Sequence, residues 1–318
     1  MKQEVTLDAK TIHWERQAIE KLLLADVRER RAARRWRIVK SLLWMLIIGA
    51  LVWVLAREEL PSTTATAPHT AMVAIRGAIA DEAEASAEYV LPALRSAMED
   101  KNAQALVLLI NSPGGSPVQA GLITDEIHRL RALHDKPVYA VVEETAASAA
   151  YYIASAADKV YVDKASIVGS IGVLMNGFGF VDTLHKLGIE RRLLTAGDNK
   201  GFLDPFSPQS EEHRQHAQRM LDQIHQQFIA VVKQGRGERL KETPEMFSGL
   251  FWTGEQSVQL GLADDFGSID SVAREVVKAE KLVDYTNKKN LAERFARRFG
   301  AAVGEGAVKA LQALPSVR

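Results

Sequence analysis

Two short segments carry residue types and spacings suited to acyl transfer. In Glu144–Tyr152 (ETAASAAYY), Ser148 stands among Ala146, Ala147, Ala149 and Ala150, directly after an apolar run. The pattern places Ser148 near the first turn of a helix, where the positive end of the dipole favours developing negative charge. The flanking alanines leave its hydroxyl open, and the N–H of Ala149 is positioned to stabilise an oxyanion. Close packing of small side chains is the more common reason for a serine among alanines, and both readings fit this segment alone. The second segment is Asn111–Ser116 (NSPGGS), again directly after an apolar run. Gly114 and Gly115 let the backbone turn sharply and expose N–H groups with no Cβ in the way. Such donors suit an oxyanion, and a plain tight turn has the same sequence.

The titratable residues narrow the chemistry. The chain has no cysteine, which excludes disulfides, thiolate catalysis and Cys-ligated zinc. Its 40 basic and 40 acidic residues cancel, so no global field draws it to nucleic acid. Of the histidines, His13 lies in the N-terminal segment and His69 in a linker. His128 and His134 precede Ser148 on or just after a helix, and His185 is expected to be exposed on another. His213, His216 and His225 fall on a long charged helix, where the i, i+3 spacing of the first two lacks the HExxH pattern and reads as a solvated face. No metal or other cofactor is expected.

Positioning these residues requires an α/β domain. Strands are predicted at Ala71–Ile79, Gln104–Ile110, Pro137–Glu143 and Lys159–Val162, with others near Gly172–Asn176 and Ile189–Thr195. Helices are predicted at Glu84–Glu99, Pro117–Leu133, Ala146–Ala157, Val181–Leu187, Pro208–Gln234, Leu240–Phe247 and Ile269–Glu280, with Phe251–Ser268 read as turn, short helix and turn. This alternation implies mostly parallel pairing. The continuously apolar ALVLLI run implies a strand covered on both faces.

Upstream, residues 38–56 are almost uninterruptedly apolar, and as a helix they extend about 28 Å, close to the hydrocarbon thickness of a bilayer. Trp36 and Trp53 sit where headgroup anchors belong. Arg28, Arg30, Arg31, Arg34, Arg35, Arg37 and Lys40 precede the run, whereas Arg57 follows it beside Glu58 and Glu59. The positive-inside rule puts such an N-terminus in the cytoplasm and the remainder outside. The expected organisation is a basic segment (1–37), a transmembrane helix (38–56), a polar linker (57–70), a catalytic domain (71–280) and a basic tail (281–318). In that tail Leu291, Phe295 and Phe299 form an amphipathic stripe.

Taken together, NSPGGS, ETAASAAYYIASAADKVYVD, Ser166–Val173 (SIVGSIGV) and WTGEQSVQLGLADDFGS resemble the S49 peptidases, the signal peptide peptidase A family, over roughly Met72 to Val277. The resemblance implies a ClpP/crotonase-like fold carrying an N-terminal transmembrane helix. It also implies a Ser-Lys dyad, with Ser148 as nucleophile, Lys200 of Gly197–Gly201 (GDNKG) as general base and Ser170 orienting the lysine amine. Gly114 or Gly115, with Ala149, would supply the oxyanion donors. Many relatives carry glycine where Ala149 and Ala150 stand, which narrows the pocket here. A ClpP-type histidine some 25 residues after the serine is missing, since Gly172, Val173 and Leu174 occupy that region. A lysine acts as base only when its amine is uncharged, which exclusion of water favours. Leu193, Leu194, Phe202 and Leu203 are the apolar neighbours able to exclude it. The family further implies peptide substrates such as cleaved signal peptides and a bacterial inner-membrane location with an extracytoplasmic catalytic domain. It implies a homo-oligomeric ring with Ser148 and Lys200 from adjacent protomers. A non-catalytic membrane scaffold or a crotonase-like acyl-CoA enzyme would share the fold.

Overall fold

The computed structural model describes residues 34–49 and 67–287. The chain forms two compact units, residues 1–63 with 295–318, and residues 64–294. In the first, residues 34–49 form a helix, α1, with exposed side chains. Lys40 Nζ lies 5.8 Å above the Trp36 ring. The expected span is therefore helical over 38–49, while 50–56 lie outside the described residues, as do Leu291, Phe295 and Phe299. Among the described residues no helix is long and apolar enough to cross a membrane.

The second unit is a mixed α/β domain on one eight-stranded sheet. In chain order its elements are β1 (His69–Arg76), α2 (Ala87–Glu99), β2 (Ala103–Ser112), α3 (Pro117–Leu133), β3 (Val138–Ala147), α4 (Ala149–Ala154), β4 (Lys159–Val162) and β5 (Ile167–Gly169). There follow α5 (Val181–Lys186), α6 (Glu211–Arg236), β6 (Phe251–Thr253), α7 (Gly254–Gln259), β7 (Asp265–Phe266), α8 (Ile269–Ser271) and β8 (Leu282–Asp284). The strand order is β6-β5-β3-β2-β1-β8, with β4 beside β3 and β7 beside β4. All pairings are parallel except β5 with β6.

The apolar run of β2 divides by strand alternation. Leu106, Leu108 and Ile110 join the core under α2, α3 and α4, while Val107 and Leu109 pack on the other face with Val141, Tyr161 and Val272. Helix α3 starts where Ser116 accepts a hydrogen bond from Gln119 N and Pro117 occupies the first turn, a favoured N-terminus. Strand β3 pairs with β4 over Tyr139–Val141 and with β5 over Thr145–Ala147.

Several boundaries depart from expectation. The domain begins at β1 with His69 and Thr70 buried rather than in the linker, and β8 extends it past residue 280. His69 stacks on Tyr285. The predicted strands at 172–176 and 189–195 are irregular chain, interrupted by or close to Gly172, Gly177 and Gly188. The predicted helix 240–247 is a series of turns after a 3-10 segment at Gly237–Arg239, and the closing helix breaks off after a π-turn at Val272–Val277.

Candidate active site

Because β1, β2, β3 and β5 run parallel, their carboxyl ends share one edge, the usual location of sites in such sheets. Ser112, Ala147 and Gly169 end β2, β3 and β5 there, and Pro113–Ser116, Ser148 and Ser170 follow directly.

Ser148 occupies the junction of β3 and α4 with φ 53° and ψ −124°. For a residue with a Cβ this is a sparsely populated conformation costing about 1–3 kcal/mol, of the kind that collects at functional sites. The turn is held from both sides, since Ser148 N donates to Gly169 O at 2.8 Å and Tyr152 N donates to Ser148 O at 3.0 Å. Below it, buried Tyr151 donates its hydroxyl to Leu262 O at 2.7 Å. Burial pushes that phenol's pKa well up, so it remains a donor.

The NSPGGS loop packs directly onto this turn. Gly114 has φ 97°, and a Cβ there would lie 2.7 Å from both Ala147 O and Ser148 Cβ. Gly114 N donates to Ser112 Oγ at 3.1 Å, and Gly114 O accepts from Ile79 N at 2.9 Å. Gly115 forms a bridge with Ile79, whose carbonyl accepts from Ser116 N at 2.7 Å. Among the described residues no acceptor engages Gly115 N, and Ala149 N, at the first turn of α4, is equally unengaged, as the opening N–H groups of helices are. Of the two glycine N–H groups, that of Gly114 is thus engaged and that of Gly115 is left without an acceptor among the described residues.

Ser148, Ala149, Gly115 and Ser170 line one cavity of ≈ 660 Å³. Its walls include Tyr152, Val173, Leu174, Ile224, Phe228 and Phe251, a largely apolar surround. Tyr152 and Phe228 pack with ring centroids 5.2 Å apart. Ser170 also has positive φ, 51°, and its N–H donates to Leu250 O at 2.8 Å. Lys200 is not among the lining residues. It is exposed, on a turn Gly197–Gly201, and Leu194, expected to shield it, is 95% exposed. Ser148, Ser170, Gly115 and Ala149 therefore come together within one chain, and Lys200 stands apart.

Helix α6 contributes contacts that its charged sequence conceals. Ile224 and Phe228 face the cavity, and between them His225 Nε2 lies 3.1 Å from Ile171 O, next to Ser170. A carbonyl only accepts, so the ring nitrogen donates. Near the other end, His213 Nε2 lies 3.0 Å from Asn199 Oδ1, and Phe202 meets the rings of His213 and His216 edge-on at 5.3 and 5.6 Å. The N-terminal half of α6 is solvent-exposed as expected, with His216 itself exposed, and His213 and His225 add loop contacts to it. The sequence clue was Phe202 beside a small polar turn, with an i, i+3 histidine pair on the next helix.

Residues 131–283 match the model of peptidase family S49. A putative protease of Synechocystis sp. is 31% identical over 210 residues, which cover 65% of this chain and 73% of that protein. The chain belongs to peptidase family S49. Its central, mostly parallel sheet fits the ClpP-like fold of such peptidases. A putative signal peptide peptidase SppA of Enterococcus faecium is 30% identical over 222 residues, 67% of this chain and 64% of that protein. The chain is also 48% identical over 181 residues to a protein of Brucella melitensis named Na(+)/H(+) antiporter NhaA, a match covering 57% of this S49 chain and 25% of that protein. The chain thus spans a quarter of the length of the Brucella protein and under two thirds of the Enterococcus one.

Proposed function

We propose that the protein is a membrane-anchored serine endopeptidase in which Ser148 is the nucleophile and Lys200 of an adjacent copy is the general base. The observation that carries the reading is Ser148 at positive φ on a cavity shared with the unengaged N–H groups of Gly115 and Ala149. The uncharged Lys200 amine takes the proton from Ser148 Oγ, whose oxygen bonds to the substrate carbonyl carbon. The oxyanion is held by Gly115 and Ala149 N–H. The lysine proton then passes to the leaving amine as the C–N bond breaks. Water, deprotonated by the same amine, hydrolyses the ester. Ser170, on the same cavity, orients the incoming amine.

A base supplied by a neighbouring copy accords with α6. It grips the Lys200 loop at His213 and the Ser170 loop at His225, twelve residues on, which separates the two grips by about 18 Å along the axis. The apolar walls suit extended apolar peptides, with signal peptides left in a membrane as the substrate class. The basic, tryptophan-flanked segment around residues 28–56 supports an anchor with a cytoplasmic N-terminus, an inner-membrane location and the catalytic domain outside the cytoplasm. A ring of copies completes each site.

Labelling with a fluorophosphonate tests the nucleophile. The chain takes up the probe, Ser148→Ala abolishes uptake, and labelling that persists in Ser148→Ala overturns the assignment. A non-catalytic scaffold would not label at all. Lys200→Ala lowers peptide hydrolysis at least about a thousandfold if the amine is the base.

A further inference from the structure

We propose that His213, together with Phe202, is a positioning residue for Lys200, acting by holding the lysine's turn against α6. The inference rests on Lys200 being the base, and concerns how an exposed loop lysine acquires a fixed place. The turn Gly197–Gly201 is exposed and glycine-bounded, so the backbone alone fixes it poorly. Three contacts pin it. On one side of Lys200, Asn199 Oδ1 accepts from His213 Nε2 at 3.0 Å. On the other, the Phe202 ring meets His213 and His216 edge-on. Phe202 N also donates to Asn199 O at 3.0 Å, closing the turn across Lys200. The lysine is therefore bracketed at one residue before and two after by side chains docked on a single helical turn. That helix is itself fixed on the nucleophile's domain, since Phe228 and Val232 are buried in the core. Any copy that presents Lys200 to a neighbour thus presents it from a rigid element.

Loss of this grip lets the amine wander, and misplacement of a reacting group by about 1 Å costs about a hundredfold in rate. Substrate binding is left alone, since the α6 residues in the cavity wall begin at Ile224, about three turns from His213. The experiment uses the full-length protein in detergent and a p-nitrophenyl ester of an apolar acyl amino acid, activated enough to be followed in weak variants. His213→Leu lowers kcat by about 10- to 100-fold with KM within about twofold. His213→Gln, which keeps a donor, recovers most of the rate. Asn199→Leu removes the acceptor, leaves α6 intact, and reproduces the loss. In a Lys200→Ala background His213→Leu adds nothing, because its effect passes through the lysine. Equal losses in His213→Leu and His213→Gln overturn the proposal, as does a full-sized further loss in the Lys200→Ala background or an unimpaired Asn199→Leu. Full activity of Lys200→Ala alone would instead remove the assignment of the base, a separate outcome read before any histidine is changed.

Discussion

A methyl group on Gly114 would lie 2.7 Å from the Ala147 carbonyl and from Ser148 Cβ, with Ala149 N at 2.9 Å. The atoms it meets are those of the Ser148 turn, and the φ of 97° is one that side-chain-bearing residues rarely adopt. Gly114→Ala is therefore expected to lower kcat by about a hundredfold or more, with a smaller change in melting temperature, read from steady-state kinetics beside a thermal scan. Gly115→Ala has a different character. Its Cβ would stand 2.1 Å from Ile79 O, the carbonyl that bridges β1's extension to the loop, so both stability and activity fall. Ser112→Ala removes the acceptor for the buried Gly114 N–H and costs about 1–3 kcal/mol, measurable by urea denaturation. At this scale the sequence was informative about type and silent about direction. Two glycines after a buried strand and a serine among alanines marked the segments, but which N–H was free depended on the direction of the Ser112 hydroxyl and on Ile79, which lies outside the motif.

Elements with a single dominant signal were readable. Helix α3 and strand β4 fall where the capping residues and the apolar run put them, because Ser116-Pro117 and the KVYV run have few alternative conformations. The arm between β5 and α6 was misread as two further strands. Its Val173, Leu174, Leu193 and Leu194 are apolar, which imitates a strand, yet among the described residues no layer covers Leu174, Leu193 and Leu194. The packing of α3 on α2 yields a pH prediction. Glu126 on α3 is buried and accepts from Arg129 at 2.7 Å and from Arg95 of α2 at 2.5 Å. Hydrogen bonds from Arg129, outweighing the burial penalty and aided by Arg95, lower its pKa to about 2. Since the folded-state value lies below the unfolded one, the stabilisation is full above about pH 4.5 and is lost as pH falls toward 2. Wild-type protein should thus lose stability on acidification through that window more steeply than Glu126→Gln, whose lower stability at neutral pH changes less. An equal loss of unfolding free energy between pH 7 and pH 3 in the two proteins, from denaturant titrations, would remove Glu126 from the account.

At the scale of the whole molecule the surface of the arm decides the argument. Leu174, Phe178 and Leu194 are 79%, 82% and 95% exposed, and they lie on the same arm, between β5 and α6, as Lys200. Apolar side chains exposed to this degree suit an interaction surface, and under the proposed function the neighbour that covers them is another copy of the chain. In that proposal, contact of the arm with the Ser148 cavity of the next copy would be heterologous, the kind of contact that closes into rings. In such a ring each junction would need Ser148 from one chain and Lys200 from the next. Co-expression of Ser148→Ala with Lys200→Ala chains makes the prediction quantitative. Random assembly leaves about a quarter of junctions with both groups intact, so activity should return to about a quarter of wild type although each parent is inactive. A dyad closed within one chain returns none, because every chain lacks one member. Leu194→Glu should reduce the assembly to smaller species in light scattering and reduce hydrolysis with it, while the isolated chain keeps its melting temperature, since that side chain makes little contact with its own domain.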